Sequence, residues 1–591
     1  MTELFEPSDA ADHRLALRAT GLLAAGNTAG LLTAADVHVA RRTAALGGED
    51  DDSVVLAVAL LVRAVRRGAV ALDLDDVRDL ADLPWPEPAA WRDAVAASPL
   101  TRAGMLHVDG GLVYLDRYHR LETQVADDLL ARAALPVPGV DEARLAAALA
   151  ALAGEHFSDE QRDAAAVAVR SRTALLTGGP GTGKTTTVAR VLLLLADQAH
   201  ARGERLSVAV AAPTGKAATR LEEAIRAELA DLADQPAAAE LVARAPRLAG
   251  VTLHRLLGWR PDNATRFRHH RGNRLGHDVV VVDESSMVDL TMTGRLLEAV
   301  RPQARLLLVG DPEQLTSVGA GAVLGDLVDA AGPTSLPVAA LRTNHRSTPD
   351  INDLAERLRE GDADGVMAVL SRDSDEVGLV AVDGPEEAAE ALRDASLGAA
   401  REVRDAARRG DVDAALAGLD THRLLCAHRE GPWGVGWWNR QVERWLAEDD
   451  EAAGVAPTYG PFYAGRPLLV TENDYTLDLY NGETGVVVPS AGRLRAFFGG
   501  GREVAPGRIG ALETMHAMTV HKSQGSQAGT VTVLLPEEDS RLLTRELFYT
   551  AVTRAQRRVR VVGSEASVRR AVEARAQRAT GLRQRLAATD R

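Results

Sequence analysis

The run Gly178-Gly179-Pro180-Gly181-Thr182-Gly183-Lys184-Thr185 decides how the rest of the chain is read. It fits G-x-x-x-x-G-K-[ST], the phosphate-binding loop. The apolar Ala174-Leu175-Leu176 before it predicts a buried strand. From Thr186, the spacing of Val188, Val191, Leu192 and Leu195 predicts a helix. In a strand–loop–helix setting, glycines let backbone N–H groups turn inward around a β-phosphate, beside a helix N-terminus that favours anions. Lys184 is placed to reach the β- and γ-phosphates, and Thr185 to hold Mg²⁺. Gly178 through Thr186 are therefore the candidate ATP-binding residues. A Gly-rich turn with a chance lysine is the bland alternative, and the flanking strand and helix argue against it.

The 591 residues are enough for three or four domains. The formal charge of −15 argues against a generally basic nucleic-acid binder but leaves room for a local basic channel. The single cysteine, Cys426, excludes a disulfide framework and any site needing several thiolates. The start, Met1-Thr2-Glu3, lacks the shape of a signal peptide, and the apolar run from Val54 to Val62 is too short to cross a bilayer. The expectation is a cytoplasmic protein with no membrane partner. Only Lys184, Lys216 and Lys522 are lysine among 68 basic residues. Each sits in a Gly- or Ser-rich polar motif, which suggests three sites in one chemistry. Arginine-biased codon usage explains the scarcity but not the placement.

Residues 1 to about 130 read as mostly helical. Asp52 to Val65 carries an apolar stripe, Val70–Leu74 reads as a short strand, and Leu106–Leu115 reads as a hairpin turning at Gly110-Gly111. No catalytic constellation appears, so a docking domain is expected over 1–135. Leu135-Pro136-Val137-Pro138-Gly139 reads as a linker.

From about 140, strands and helices alternate, the mark of a parallel α/β sheet. Ser158 and Gln161 form a capping-box pattern ahead of the phosphate-loop strand, and Gln161 could equally offer its amide to an adenine edge. Val208–Ala212 runs into Pro213-Thr214-Gly215-Lys216, placing polar groups where parallel sheets bind ligands. Thr252-Leu253-His254-Arg255 and Trp259 suit backbone contact and base stacking, although a helix with one buried tryptophan fits as well. Arg266 to Arg274, with His269 and His270, reads as a solvated basic loop rather than a metal site. Asp278–Val282 is a buried strand ending in Asp283-Glu284. Asp283 is the candidate Mg²⁺ ligand, with Thr185, and Glu284 the candidate base for an attacking water. A further strand, Arg305–Val309, ends in Gly310-Asp311-Pro312-Glu313-Gln314, with Gln314 placed to sense a γ-phosphate, and Ser317-Val318-Gly319-Ala320-Gly321 follows.

These strings resemble motifs of superfamily 1 DNA helicases. APTGKAATRL, TLHRLLG, VVDESSMVD and GDPEQLTSVGAGAVLGDL resemble motifs Ia, Ib, II and III. Leu341–Arg346, Ala517–Gln527 and Glu546–Ala555 resemble motifs IV, V and VI. HKSQGSQ and YTAVTRA point to the 5′→3′ branch, and the order spans 157 to 555. The nearest resemblance is to the RecD-type motor subunits of RecBCD helicase–nucleases, extended by Ala29–Arg42 and Leu425–Val435.

The resemblance implies two RecA-like P-loop NTPase domains, parallel sheets flanked by helices, over 140–335 and 336–591. It adds a mainly helical N-terminal domain and a small SH3-like β insertion at about 455–512. The strands Arg423–Ala427, Thr530–Leu535 and Arg558–Gly563 fit the second domain, and Pro467–Val470 with Asn481–Val488 around an Asn-Gly turn fit the insertion. Residues 384 to 418 read as a surface helical stretch, and Val568 to Arg591 as a polar helix or tail. The resemblance also implies ATP and Mg²⁺ as cofactors, and arginines supplied opposite the phosphate loop by Arg346 and Arg554. Thr214, His254, Thr519 and His521 would grip single-stranded DNA, with Trp259 as a stacking platform. The partners implied are single-stranded DNA, duplex ends, and RecB- and RecC-like subunits. The family's nuclease motif has an acid two residues before a lysine. Here those positions hold Thr182, Thr214 and Val520, so no intrinsic nuclease site is expected. Two alternatives stand beside this reading: a free-standing 5′→3′ helicase, and an ATP-gated regulatory subunit without unwinding.

Overall fold

A computed structural model describes residues 4–5, 7, 9, 11–137, 139–154, 157–260, 263–317, 319–330, 336–455, 460–474, 476–576 and 578–587. Met1-Thr2-Glu3, Pro138 of the linker and Val318 of the third motif lie outside the described residues.

The first large sheet has six parallel strands in the order Val338–Leu341, Thr173–Gly178, Arg305–Gly310, Val279–Val282, Val208–Ala212, Gly250–Thr252. Its residues alternate between two cores, as successive side chains of a strand must. Ala174, Leu176, Val279, Val281, Leu307 and Val309 face the helices Asp159–Arg170 and Lys184–Ala201. Leu175, Val280, Val282, Leu306 and Leu308 face the other way, toward Asp116–Ala133 and Leu290–Ala299. Covering both faces is what a parallel sheet requires. The strand Val338–Leu341 corrects the expected boundary at 335/336. It pairs with Thr173–Gly178 as an edge of the first sheet, so the chain leaves this lobe only after Leu341.

The second large sheet has five parallel strands in the order Val377–Ala381, Ala555–Gly563, Ala528–Leu534, His422–Cys426, Ala517–Thr519. One face packs Leu425, Val531, Val533, Val559 and Val561 on a large aliphatic core. The other packs Leu424, Cys426 and Leu534 against Trp433, Trp438 and Trp445. The helix Pro385–Arg408 corrects the surface reading of 384–418: Ala388, Leu392, Leu397, Ala400 and Val403 are buried along one stripe.

Between the last strands lies a five-stranded antiparallel sheet, in the order Arg502–Val504, Arg493–Phe498, Thr484–Ser490, Pro467–Val470, Leu512–Thr514. Asn481-Gly482 does not close a tight hairpin. It ends a longer excursion from Val470, and Val470 and Glu483 meet through Val470 N–H donating to the Glu483 carbonyl.

The N-terminal region packs helices Gly21–Thr28, Ala34–Gly47, Asp52–Arg66 and Pro88–Ala97 around a three-stranded sheet. The strand read at Val70–Leu74 is shorter, Leu72–Asp73, and the hairpin Leu106–Asp109 and Leu112–Leu115 turns at Gly110-Gly111, both in the left-handed region. The helix Asp116–Ala133, expected in this domain, packs instead on the first lobe. Arg132 there donates to Thr173 Oγ1 and to the carbonyls of Arg301 and Ala304. The C-terminal segment, read as a polar helix or tail, forms helices at Glu565–Glu573 and Leu582–Ala587. After the helix Glu565–Glu573 it runs back to the first lobe, where Leu582 and Leu586 of the helix Leu582–Ala587 join its core. Fully buried Glu122 accepts from Thr580 Oγ1, Gly581 N–H and Arg585. Among the described residues no helix is long and apolar enough to cross a membrane.

A nucleotide cleft between two lobes

The parallel strands of the first sheet end together. Thr177 pairs with Gly310, and Leu308 with Val282. The loops that follow, at Gly178, Asp311 and Asp283, therefore open on one edge, the place where such sheets bind ligands. Gly178, Gly181 and Gly183 take φ values of 157, 86 and 82°. At Gly181 a side chain would strike Asn344 Oδ1 at 2.3 Å and Arg346 Cβ at 2.7 Å, so glycine is required by conformation and by contact. Gly183 caps the helix Lys184–Ala201 in the left-handed region, which aims the free N–H groups of its first turn into the cleft. Lys184 Nζ donates to the carbonyls of Gly178 and Gly179 at 2.6 and 2.9 Å. Thr182 closes the loop through its hydroxyl to the Gly179 carbonyl.

Pro180, Gly181, Gly183, Lys184, Thr185, Thr186, Asp283, Glu284, Gln314, Arg346 and Arg554 all line one cleft of about 520 Å³. Sequence reasoning assigned each of these; it missed Arg220, Gly525 and Gln527, which line the same cleft. Arg220 donates to the Gly525 carbonyl and so ties the helix after Thr214 to the second lobe. The signal was present, since Arg220 lies inside APTGKAATRL. Of the three lysines, Lys184 lines this cleft. Lys216 is held between the lobes, where burial and Arg220 push its pKa down to about 7, and Lys522 pairs with Glu513 at 2.7 Å.

Glu284 adopts φ 50°, ψ 41°, a left-handed conformation that costs a non-glycine residue about 1–3 kcal/mol. Such outliers cluster at functional sites, and here the backbone breaks from the strand where the carboxylate enters the cleft. Burial, reinforced by the charge of Glu284, raises the Asp283 carboxyl above the usual range; Lys184 opposes the shift. Thr185 and Asp283 offer one hydroxyl and one carboxylate at the phosphate end. That is the sparse oxygen set Mg²⁺ accepts when phosphates complete its shell. Among the described residues there is no cluster of three or more acidic, His or Cys groups that would hold a metal by itself.

Two arginines approach from beyond the first sheet. Arg346 sits on the connection after Leu341, where His345 N–H donates to the Gly181 carbonyl. Arg554 follows the helix Arg545–Val552 of the second lobe and is held by the Thr550 carbonyl at 3.1 Å. Burial lowers the pKa of both, and Glu284 and Asp311 counter this for Arg554.

Gln161 is a member of a formed capping box. Its Oε1 accepts from Ser158 N–H, its N–H donates to Ser158 Oγ, and its Nε2 donates to the Thr182 carbonyl at 3.1 Å. It braces the phosphate loop and does not line the main cleft.

The residues proposed to grip DNA do not converge on that cleft. Thr214 and Thr519 cap local turns, accepting from Ala217 N–H and Lys522 N–H. His254 is exposed and lies 5.8 Å from the Phe267 ring. Trp259 is not a buried helical tryptophan. It is 41% exposed on the short strand Trp259–Arg260. His521 is half-buried near Arg578 of the C-terminal segment.

Fold and cleft together define a two-lobed P-loop NTPase with arginines presented opposite its phosphate loop. Comparison with known proteins narrows this. A family model described as an AAA domain matches residues 161–320, and one described as a UvrD-like helicase C-terminal domain matches 514–562. A third, the RecBCD enzyme subunit RecD, N-terminal domain, matches 28–108. The chain is 56% identical over 568 residues to the RecBCD enzyme subunit RecD of Mycolicibacterium smegmatis, covering 94% of this chain and 98% of that one. It is 54% identical over 591 residues to the subunit of the same name from Mycobacterium tuberculosis H37Rv, covering 98% and 99%. It is 33% identical over 470 residues to the ATP-dependent RecD2 DNA helicase of Deinococcus radiodurans, covering 79% of this chain and 57% of that one. The chain belongs to the RecD family of RecBCD enzyme subunits.

Proposed function

We propose that the chain is an ATP-dependent 5′→3′ DNA helicase, the motor subunit of a RecBCD-type helicase–nuclease. It would work with RecB- and RecC-like subunits on duplex ends, in the cytoplasm at the nucleoid, for recombinational repair. The observation that carries this is the convergence of Lys184, Glu284, Gln314, Arg346 and Arg554 on one cleft at the border of two lobes.

The geometry supports the following roles. The N–H groups around Gly181 to Thr185 and the Lys184 ammonium bind the phosphates of ATP. Lys184 leaves the carbonyls of Gly178 and Gly179 to do so. Thr185 and Asp283 would hold Mg²⁺, which when bound neutralises phosphate charge. Glu284 takes a proton from the attacking water, and Gln314 orients it. Arg346 and Arg554 stabilise the charge that develops on the transferred phosphoryl group. Because Arg554 belongs to the second lobe, hydrolysis and lobe closure become one event. Thr214, His254 and Trp259 on the first lobe, and Thr519 and His521 on the second, then hold single-stranded DNA alternately.

Residues 1–135 serve partner docking, with 140–335 and 336–591 as the two motor units, adjusted for the strand Val338–Leu341. The antiparallel sheet at about 455–512 is an SH3-like insertion. We assign the chain no nuclease site. The free-standing alternative draws support from the Deinococcus relative. However, this chain spans 57% of that protein's length and 98–99% of the RecBCD subunits.

Strand displacement on duplexes with a 5′ or a 3′ single-stranded tail tests the proposal. Unwinding from the 5′ tail alone, abolished by Lys184→Gln, is expected. Unwinding from the 3′ tail, or unwinding that survives Lys184→Gln, would refute it.

A further inference from the structure

What holds Gln314 is a contact that no motif string describes. Asp311 and Gln314 follow the strand Arg305–Gly310, and each is only 3% exposed. Gln314 Nε2 donates to Asp311 Oδ2 at 3.0 Å. The same oxygen receives a second donor from the other lobe, the Tyr549 hydroxyl, at 3.2 Å. An ionised carboxylate only accepts, so the Gln314 amide must turn its nitrogen toward Asp311 and its oxygen away. Among the described residues that oxygen, Gln314 Oε1, has no hydrogen-bond partner, although it is buried and the side chain lines the nucleotide cleft. A buried acceptor left unpaired is costly, and the side chain that carries it lines the nucleotide cleft, the nearest source of a donor. A water poised to attack a phosphate is a donor of that kind. The next residue repeats the cross-lobe grip. Leu315 N–H donates to Thr550 Oγ1 at 2.8 Å, and Gln524 Nε2 donates to the Leu315 carbonyl at 2.9 Å.

We propose that Tyr549 is a positioning residue for hydrolysis: its hydroxyl reaches across the boundary between the lobes to keep Asp311 an acceptor, Asp311 sets the Gln314 amide, and Gln314 Oε1 orients the attacking water only while the lobes are together. This rests on the role given to Gln314 above. Burial raises the Asp311 carboxyl above its ordinary range, and Lys184, Gln314 and Tyr549 oppose that shift. Without the Tyr549 hydroxyl the carboxyl more readily takes a proton. It can then donate to Gln314 Oε1 and reverse the amide, presenting a donor where an acceptor is needed. The Tyr549 ring reaches this point beside the phosphate loop, its hydroxyl 3.0 Å from where a side chain at Gly179 would begin.

The test is a double-mutant cycle on ATP hydrolysis stimulated by single-stranded DNA. It uses the full chain as wild type, Tyr549→Phe, Gln314→Ala and the double variant, with Lys184→Gln as background. Loss of one hydrogen bond to a charged group predicts that Tyr549→Phe lowers kcat about tenfold. KM for ATP and affinity for DNA should stay within about twofold, and the change should cost almost nothing further in the Gln314→Ala background. A tyrosine that merely glued the lobes would shift KM or DNA affinity and lower kcat equally in both backgrounds. Either result, or an unchanged kcat in Tyr549→Phe, overturns the proposal. Should Tyr549→Phe fail to fold, Asp311→Asn replaces it with the same expectations. If Gln314→Ala itself keeps wild-type kcat, the role of Gln314 fails, and this proposal with it.

Discussion

The two lobes share a parallel-sheet design and divide the chemistry unequally. The first presents glycines, Lys184, Asp283, Glu284 and Gln314 at the ends of strands that lie side by side. Among the described residues the second presents no phosphate loop; to the cleft it gives Gly525, Gln527 and Arg554, and the connection into it gives Arg346. The buried polar groups differ in the same sense. The first lobe holds carboxylates raised by burial, at Asp283, Asp311 and Asp326. The second holds histidines lowered by burial, at His422 and His516, and a tryptophan-lined core. On the proposed function, one sheet binds the nucleotide and the other completes the site on approach. Polar residues buried at the border are then coupled to the relative position of the lobes.

The largest expected effect breaks that division directly. Arg554→Ala should lower the turnover of ATP about 10³-fold or more, the value of an arginine that stabilises charge on a transferring phosphate, while ATP binding persists. Steady-state kinetics beside equilibrium nucleotide binding separates the two. Loss of binding with preserved turnover would place Arg554 in the wrong lobe's work. Next, Glu284→Gln should cost about 10²–10⁴-fold in kcat, as removal of a general base does, with nucleotide affinity intact.

A smaller effect distinguishes the lobes by pH. Burial pushes His422 down to about 4 and His516 to about 3, while in the unfolded chain both titrate near about 6.5. The unfolded state thus takes up protons first as pH falls, and the second lobe loses stability below about pH 6.5, by about 2 kcal/mol per histidine at pH 5. Asp326, pushed up to about 7, and Asp311, also raised, act oppositely. Their folded forms bind protons before the unfolded chain does, so acidification toward about pH 4 relieves the first lobe. Hydrogen exchange at pH 7.5 and 5, corrected for intrinsic rates, should show His422–Cys426 opening more readily while Thr173–Gly178 does not. Smallest of all, Trp259→Ala should weaken single-stranded DNA binding by about 1–3 kcal/mol, the value of one base–aromatic stack, without changing hydrolysis at saturating DNA. Fluorescence titration against labelled single strands measures it.

Legibility in the sequence followed contiguity. The phosphate loop, Asp283-Glu284 and Gln314 could be read because each lies in a short string whose strand and helix flank it. Arg346 and Arg554 needed a resemblance, since nothing local separates them from 66 other basic side chains, three of them lysines. What escaped was long-range. The edge strand Val338–Leu341 is set by pairing with residues far earlier in the chain. The C-terminal segment reads as polar because Arg585 and Thr580 are polar, yet their partner is buried Glu122. Tyr549 and Asp311 each sit inside a recognised motif, but their bond joins positions 238 residues apart. Gln161 shows the converse. Its four-residue pattern left a capping box and an adenine contact equally open, and the structure forms the capping box.

If DNA completes the cleft by bringing the lobes together, ATP hydrolysis must depend on DNA. The most direct measurement is ATP hydrolysis by the full chain with and without single-stranded DNA. The account predicts a low basal rate, a rise of about tenfold or more on adding single strands, and loss of both with Lys184→Gln. A rate indifferent to DNA, or one that survives Lys184→Gln, would contradict it.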